Sequence, residues 1–187
     1  YDHMVNDHPG YNPENLAYVY IGAVDSTGRA KLIEETQRLP EVDAITTCYN
    51  LPFWGASGNN VYLPGDDREL FNIADLYDVG NDYLNVLEIP IVEGQYFTEN
   101  TTSSQEILVS RNFIEYMKPF ADWKDGAVGK TVQITGHDTK SESMPLFTIR
   151  GVFENFRLGS IAAEDPRAKI MFYTKGAAQH MVIRYHS

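Results

Sequence analysis

The segment of the sequence that most suggests chemistry is residues 126–131, Gly-Ala-Val-Gly-Lys-Thr, which ends like a phosphate-binding loop. That motif needs its first glycine five residues before the second, and Lys124 stands at that position. The segment also runs into the β-branched residues 131–134 instead of a helix, whose free N–H groups would bind phosphate. We therefore expect no nucleotide site here.

Histidines are the next candidates, because imidazole is a common metal ligand and general base. The near pair His3 and His8 lies at the beginning of the sequence. The remaining three have no second ligand at helical or hairpin spacing: His137, His180 and His186. No serine-nucleophile elbow, zinc-protease helix or Cys-x-x-Cys motif occurs in the sequence. We predict no catalytic residue, no metal and no cofactor.

The other reactive side chains fit structural roles. Cys48 is the single cysteine, so no intramolecular disulfide forms, and it lies in a strand-like run. The paired acids at 34–35 and 66–67 are interpreted as solvated charges on a helix face and in a turn. Trp54 and Trp123 flank glycine or charged turns, and each is interpreted as a packing residue or as an exposed contact for a partner.

Composition limits the classes of protein that the chain can represent. Its 187 residues, 43% of them hydrophobic, suffice for one substantial core or two small subdomains. The formal charge of -11 would repel nucleic-acid phosphates, and no cluster of Lys and Arg offsets it, so nucleic acid is not an expected partner. No run of about 18 apolar residues occurs, and we expect targeting or membrane-spanning segments to lie outside this sequence.

The elements that position these residues begin with a β-α-β unit. Residues 16–21 are mostly β-branched and aromatic, which predicts a strand, and residues 25–27 offer N-caps for a helix that Pro40 ends. Residues 42–48 supply the second strand. We expect the helix to cover one face of the sheet.

The rest of the chain alternates short strands and helices. A shift to Gly, Asn, Pro and Asp over residues 52–67 predicts a subdomain boundary. Beyond it, hydrophobic spacing predicts strands at 71–79, 107–109, 128–134, 146–153, 170–173 and 181–185, and short helices at 82–87 and 111–117. This mixed order favours an α+β fold with an inserted β-rich portion over a doubly wound parallel sheet.

Six short sequence motifs, which we call phrases, follow one another along the chain. They lie at residues 10–15, 39–42, 81–97, 107–110, 128–130 and 149–156, and the most recognisable is 81–97, which ends in Glu-Ile-Pro-Ile-Val-Glu-Gly-Gln-Tyr-Phe at 88–97. In this order the sequence from residue 12 to about residue 160 resembles the MacB-like periplasmic core domain of FtsX-like ABC-transporter permeases. Gln95 departs from the family, which commonly has arginine there, so the ion pair expected from the family is absent.

The resemblance implies an architecture and a set of partners. It implies a porter-like β-α-β subdomain built from residues 12–51 and 148–187, with a β-rich subdomain, residues 52–147, inserted between them. The resemblance implies that this non-catalytic domain lies on the extracytoplasmic, periplasmic face of the bacterial inner membrane, between two transmembrane helices of its permease. It also implies that a separate cytoplasmic ATPase supplies the energy. We expect it to transmit conformational change and to contact substrate or partner proteins. The resemblance implies a dimer in the full transporter, while an isolated domain can be monomeric.

Eight residues are candidates for structural or interaction roles. They are Trp54, Gly94, Phe97, Trp123, Gly129, Gly151, Asn155 and Phe156. Gly94 suggests a backbone bend with Phe97 filling the core behind it, and Gly151 within a strand suggests a bulge or close backbone packing. The family pattern continues past residues 181–185 into a further helix and strand, so we expect the strand at 181–185 to be a sheet edge.

Two other classes of protein stay open at this point. The acidic, tyrosine-rich composition suits a free-standing secreted or lipid-anchored binding protein equally well. A hydrolase with catalytic residues dispersed along the chain would need a pocket in which titratable groups converge.

Overall fold

The computed structural model describes residues 10–52, 58–66, 70–99, 105–134, 145–156, 167–175 and 179–187, which leaves Trp54 outside the described residues. The elements are β1 (Leu16–Tyr20), α1 (Ser26–Gln37), β2 (Val42–Cys48), β3 (Gly58–Tyr62), β4 (Phe71–Val79), α2 (Tyr83–Leu87), β5 (Ile91–Gly94), β6 (Glu106–Ser110), α3 (Arg111–Met117), β7 (Thr131–Ile134), β8 (Leu146–Phe153), β9 (Ala168–Tyr173) and β10 (His180–Tyr185). The predicted α+β class is confirmed.

The strands form one mixed sheet in which six strands close into a ring. Neighbouring strands follow the order β1-β10-β2-β4-β3-β7-β8-β6-β9, β9 also pairs with β4, and β5 pairs with β8. We call β4, β3, β7, β8, β6 and β9 the ring, and β1, β10 and β2 the terminal sheet. The β4–β9 and β6–β8 pairs are parallel, and the other pairs are antiparallel.

Strand β10 lies inside the terminal sheet. Val182 is opposite Tyr18 of β1 on one side and opposite Thr46 of β2 on the other. The prediction that this strand forms a sheet edge is therefore wrong. The physical reason is that β1 and β2 leave a gap which the chain fills when it returns from the ring, and the buried side chains of Met181 and Val182 are typical of a central strand.

Helix α1 packs on one face of the terminal sheet. The carboxylate of its N-cap residue, Asp25, accepts a hydrogen bond from the N–H of Gly28 (2.7 Å). A small cluster of buried residues lies under the helix: Ile21, Ile45 and Met181. Leu32 and Ile33 pack against this cluster, and no residue of α1 is fully buried. The helix is thus attached by a single apolar stripe.

The strands differ from the sequence predictions at β3, β5 and β7. No strand is predicted at residues 91–94, and β5 is a strand there because it pairs with β8. β3 lies within the stretch 52–67, whose composition predicts a boundary, and it is a strand because β4 and β7 pair with its two edges. β7 begins at Thr131 because residues 128–130 form the turn that precedes it. β8 and β9 pair with strands from the middle of the chain. The division into subdomains at residues 52 and 148 stays a prediction.

Two large hydrophobic cores lie in the fold. The ring core consists of Val61, Ala74, Ile107, Val109, Phe113, Met117, Ala127, Val132, Ile134, Phe147, Ile149, Val152, Ala168, Ile170 and Phe172. The junction core consists of Tyr11, Cys48, Leu51, Tyr77, Val79, Tyr83, Leu84, Val86, Leu87, Ile89, Phe97, Leu108, Phe153, Phe156, Met171 and Val182. Because the junction core contains residues of the terminal sheet, α2 and the ring, these parts share one interior.

Strand β5 approaches β8 closely at a pair of glycines. Gly94 is opposite Gly151, and its φ of 72° lies in the left-handed region that favours glycine. A Cβ atom at Gly94 would lie 2.3 Å from the carbonyl oxygen of Arg150 and 2.8 Å from the Cα of Gly151. A side chain here would therefore push β5 away from β8.

Gly94→Ala should lower the free energy of unfolding more than Gly129→Ala. Gly129 also has a positive φ, 89°, but nothing lies within 4 Å of a Cβ atom there. Gly129→Ala therefore measures only the backbone cost of about 1–2 kcal/mol. Gly94→Ala adds a clash with backbone, and we expect a total loss of about 3 kcal/mol or more. Urea-induced unfolding of both variants measures the difference, and equal losses would contradict the close approach of β5 to β8.

Candidate functional site

Residues 93–97, at the end of β5 and just beyond it, contact the loop before β7, strand β8 and helix α2, and we call them the strap. At its beginning, the Oε1 atom of Glu93 accepts hydrogen bonds from the N–H groups of Ala127 (2.8 Å) and Val128 (3.0 Å). These N–H groups belong to the segment that resembles a phosphate-binding loop. A carboxylate of the chain itself therefore occupies the position that an anion would take.

The strap also holds the N-terminal end of helix α2. The hydroxyl of Tyr96 donates to the carbonyl of Gly80 (2.6 Å) and accepts from the N–H of Tyr83 (3.2 Å). The N-cap residue Asp82 makes no side-chain cap, so Tyr96 satisfies a free N–H of the helix from a distant part of the chain. The hydroxyl of Tyr83 in turn donates to the carbonyl of Asn50 (3.0 Å). Burial raises the pKa of both phenols.

Arg184 of β10 holds the C-terminal end of α2. Its Nε (2.9 Å) and Nη2 (2.6 Å) donate to the carbonyl of Val86, and Nη2 also donates to the carbonyl of Asn12 (3.0 Å). Nη1 donates to the carbonyl of Glu14, and Nη2 lies 3.7 Å from the carboxylate of Glu88. A cation at a helix C-terminus also interacts favourably with the helix dipole. One buried guanidinium thus ties β10, α2 and the segment before β1 together.

The residues that follow β8 anchor helix α3. The Oδ1 atom of Asn155 accepts a hydrogen bond from the N–H of Asn112 (2.9 Å), and Glu154 pairs with Arg111 (3.0 Å). Ser110, the N-cap residue of α3, makes no side-chain cap. Asn155 therefore supplies the acceptor for a free N–H of the first turn.

The aromatic candidates Phe97 and Phe156 both lie in the junction core. Phe97 packs against Tyr173 of β9, with ring centroids 5.5 Å apart. Phe156 meets Tyr77 of β4 edge to face at 5.5 Å, and the ammonium of Lys169 lies 5.3 Å from the Phe156 ring centroid. The phenyl groups of Phe97 and Phe156 therefore fill space beside strands β9 and β4.

The structure brings the candidate glycines together along β8 but keeps Trp123 apart. Gly94 and Gly151 face each other, and the N–H of Gly129 donates to the carbonyl of Ile149 in the same strand (2.8 Å). Trp123 is half-exposed and lines a cavity of about 310 Å³ beside α3. Roles for these residues in contacting a partner stay predictions.

Three residues that hold the junction are absent from the sequence-based candidates: Glu93, Tyr96 and Arg184. Glu93 and Tyr96 belong to the phrase at 88–97, so the resemblance contained a signal for them. The signal for Arg184 is a charged residue within an otherwise apolar strand, which needs buried partners. The sequence does not reveal that those partners are carbonyls of residues far away in the chain.

The reactive side chains in the described part of the chain do not gather around a substrate position. No group of three or more His, Cys, Asp or Glu side chains is placed there to hold a metal ion. Burial raises the pKa of the Cys48 thiol to about 12, which keeps it protonated and weakly nucleophilic. His186 and Asp43 form an exposed pair, with Nδ1 and Oδ1 2.6 Å apart. The arrangement is suited to holding elements together.

Comparisons with known proteins give a family and a fold. A family model described as the MacB-like periplasmic core domain matches residues 3–185. The periplasmic region of MacB from Actinobacillus actinomycetemcomitans has a similar structure, with a TM-score of 0.57 and 14% identity over 98% of this chain and 80% of that chain. The extracellular domain of the ABC-type transporter YknZ from Gram-positive bacteria has a TM-score of 0.53 and 12% identity over 92% and 84%. No curated protein matched the sequence.

Among the described residues, no helix combines the length and the apolar character that crossing a membrane demands.

Arg184→Met should lower the free energy of unfolding by about 3 kcal/mol, because three backbone carbonyls lose their buried donor. Arg38→Met is the matched control. Arg38 pairs with Glu34 on the exposed side of α1 (2.6 Å), and such surface pairs contribute about 0.3–0.5 kcal/mol. Chemical denaturation of both variants measures the two losses. A loss for Arg184→Met as small as that of the control would contradict its role at the junction.

Alkaline pH should destabilise the fold. Burial raises the pKa of Cys48 from 9.0 to about 12 and raises the pKa of Tyr83 and Tyr96. Between about pH 9 and 12 the unfolded chain releases protons that the folded chain keeps. The free energy of unfolding therefore has its highest value below pH 9 and falls as the pH rises above 9. Urea titrations from pH 7 to 11 measure this fall. Cys48→Ala should make the first part of it shallower, and an unchanged profile would contradict the contribution of Cys48.

Proposed function

Because this chain belongs to the MacB-like periplasmic core domain family, whose model matches residues 3–185, we propose that it is the non-catalytic extracytoplasmic domain of an ABC-transporter permease. In this proposal the domain lies on the periplasmic face of the bacterial inner membrane as part of a membrane protein. It passes conformational change across the membrane and contacts substrate or partner proteins.

The observation that carries the mechanical part of the proposal is the junction core. It contains Cys48 and Val182 of the terminal sheet together with Tyr77 and Phe153 of the ring. Close-packed interiors have low compressibility and transmit strain. A displacement of the terminal sheet would therefore move the ring with it, and the two would behave as one body.

The position of β1 and β10 supports a connection to two membrane helices. The N–H of Tyr185 donates to the carbonyl of Asn15 (3.0 Å), and Leu16 is opposite Arg184. The chain therefore enters and leaves the terminal sheet on adjacent strands. Two flanking transmembrane helices of the permease, which we propose as direct partners, would act together on the end of the sheet where β1 begins and β10 ends.

The remaining partners follow from the family. We propose that a separate cytoplasmic ATPase subunit or domain drives the permease and that two permease copies pair in the full transporter. An isolated domain lacks the membrane tether that raises the effective concentration of its neighbour, so it can be monomeric.

The alternative is a free-standing secreted or lipid-anchored binding protein. The two proposals differ in the complete gene product. A permease contains about four apolar spans of about 20 residues, one of them shortly before this domain. A gene product with a lone signal peptide would contradict the permease proposal.

A disulfide across the junction can test whether the domain moves as one body. Cys48 is opposite Val79, and the flanking bonds from Tyr49 N–H to Asp78 O (3.0 Å) and from Gly80 N–H to Thr47 O (2.8 Å) mark a non-hydrogen-bonded pair. The Cα atoms of such pairs are about 4.5 Å apart, which a disulfide can span. Val79→Cys therefore places two thiols in position to bridge β2 and β4.

We expect the oxidised Val79→Cys variant of the membrane-embedded permease to keep its ATP-driven movement, because the bridge joins parts that already move together. An unnatural amino acid that carries a spin label replaces the exposed Leu39 in both copies of the permease. The movement is then measured as a change in the distance between the two labels when ATP is added. Val79→Cys combined with Cys48→Ala is the control that cannot form the bridge. Absence of any ATP-dependent change would contradict transmission, and a change abolished only by oxidation would contradict movement as one body.

A further inference from the structure

A groove of about 300 Å³ lies where the terminal sheet meets the ring. We call it the junction groove. Its lining includes Ile33 and Gln37 of α1, Thr47 of β2, and the charged residues Glu99 and Lys175. We propose that the junction groove binds a small zwitterion with an aliphatic side chain, a free amino acid or a dipeptide.

The charges in the groove match a ligand that carries both signs. The ammonium of Lys175 and the carboxylate of Glu99 are 3.1 Å apart, and their side chains are 74% and 47% exposed. An ion pair this exposed contributes little to stability, so each member can exchange its partner for a ligand group at small cost. The ligand carboxylate then pairs with Lys175, and the ligand ammonium pairs with Glu99. A purely anionic ligand would instead meet the Glu99 carboxylate beside the single lysine.

The polar groups of the groove can bind the ligand backbone. Within the described part of the chain, the side chains of Gln37 and Thr47 make no hydrogen bond, and both line the groove. The Oδ1 atom of Asn81 accepts from the hydroxyl of Tyr173 (2.7 Å), which leaves the amide of Asn81 able to donate. Amide and hydroxyl groups of this kind recognise a carboxylate or a peptide bond.

The apolar part of the lining and the volume limit the ligand further. Ile33 and Ile45 contribute aliphatic surface to the groove. A volume of about 300 Å³ is at the small end of ligand pockets, which favours an amino acid or a dipeptide over a longer chain. The ligand would contact α1, β2, Glu99 and Lys175 together. The inference goes beyond the transport role and does not depend on it.

Binding can be measured on this chain by two-dimensional NMR and calorimetry with two probes, L-leucine and L-alanyl-L-leucine. We expect saturable shifts of the amide signals of Thr47 and Asn81 and of the side-chain amide of Gln37, with a Kd on the order of 1 mM for the better probe. The tighter probe identifies the ligand as an amino acid or a peptide. N-acetyl-L-alanyl-L-leucinamide, which lacks both charges, should bind at least about tenfold more weakly.

Variants separate this site from weak binding elsewhere on the surface. Lys175→Met and Glu99→Gln should each weaken binding by about tenfold. Lys124→Met is the control, because Lys124 forms an exposed pair with Asp122 (3.4 Å) away from the groove. Equal binding of the blocked peptide, equal weakening by the control variant, or no saturable shift at roughly 10 mM probe would each overturn the inference. Failure of the permease proposal would leave these measurements unchanged.

Discussion

Helix α2 is five residues long, and a helix of that length does not persist alone in water. Its surroundings stabilise it, since four of its residues are buried: Tyr83, Leu84, Val86 and Leu87. The hydroxyl of Tyr96 satisfies its N-terminal end, and the guanidinium of Arg184 satisfies its C-terminal end. These two side chains come from the strap and from β10, so the helix exists only where the ring and the terminal sheet already meet. The packing of the junction core therefore depends on contacts that α2 receives from both the strap and β10.

The contacts of the strap show what the residues at 88–97 do in the fold. Glu93 binds the backbone of the loop at 126–128, Gly94 allows β5 to approach β8, and Tyr96 reaches helix α2. Three residues within this four-residue stretch thus contact three different elements. A substitution at one position disturbs contacts that its neighbours cannot replace, and this explains in structural terms why a stretch with no catalytic side chains can be recognisable.

Much of the secondary structure follows from local patterns, and the way the strands pair does not. The helix at 26–37 and the strand at 42–48 carry their own start and stop signals. β3 contains Gly58 and Asn59, which are poor strand formers, and it becomes a strand because two partners supply its hydrogen bonds. The central place of β10 is likewise set by pairing between residues far apart in the chain. Arg184 could be noticed as a charge in an apolar strand, but its carbonyl partners exist only in the folded chain.

The pairing of β4 with β9 sets an order for folding. The ring stays open until residues 168–173 reach 74–79, and the terminal sheet lacks its middle strand until residues 180–185 have arrived. Contacts between such distant segments form slowly, because a long loop must close before they are gained. A chain that emerges from its N-terminal end therefore exposes unpaired strand edges until residues 168–173 and 180–185 are available. The closed ring makes assembly a late event, completed only after β9 and β10 have been synthesised.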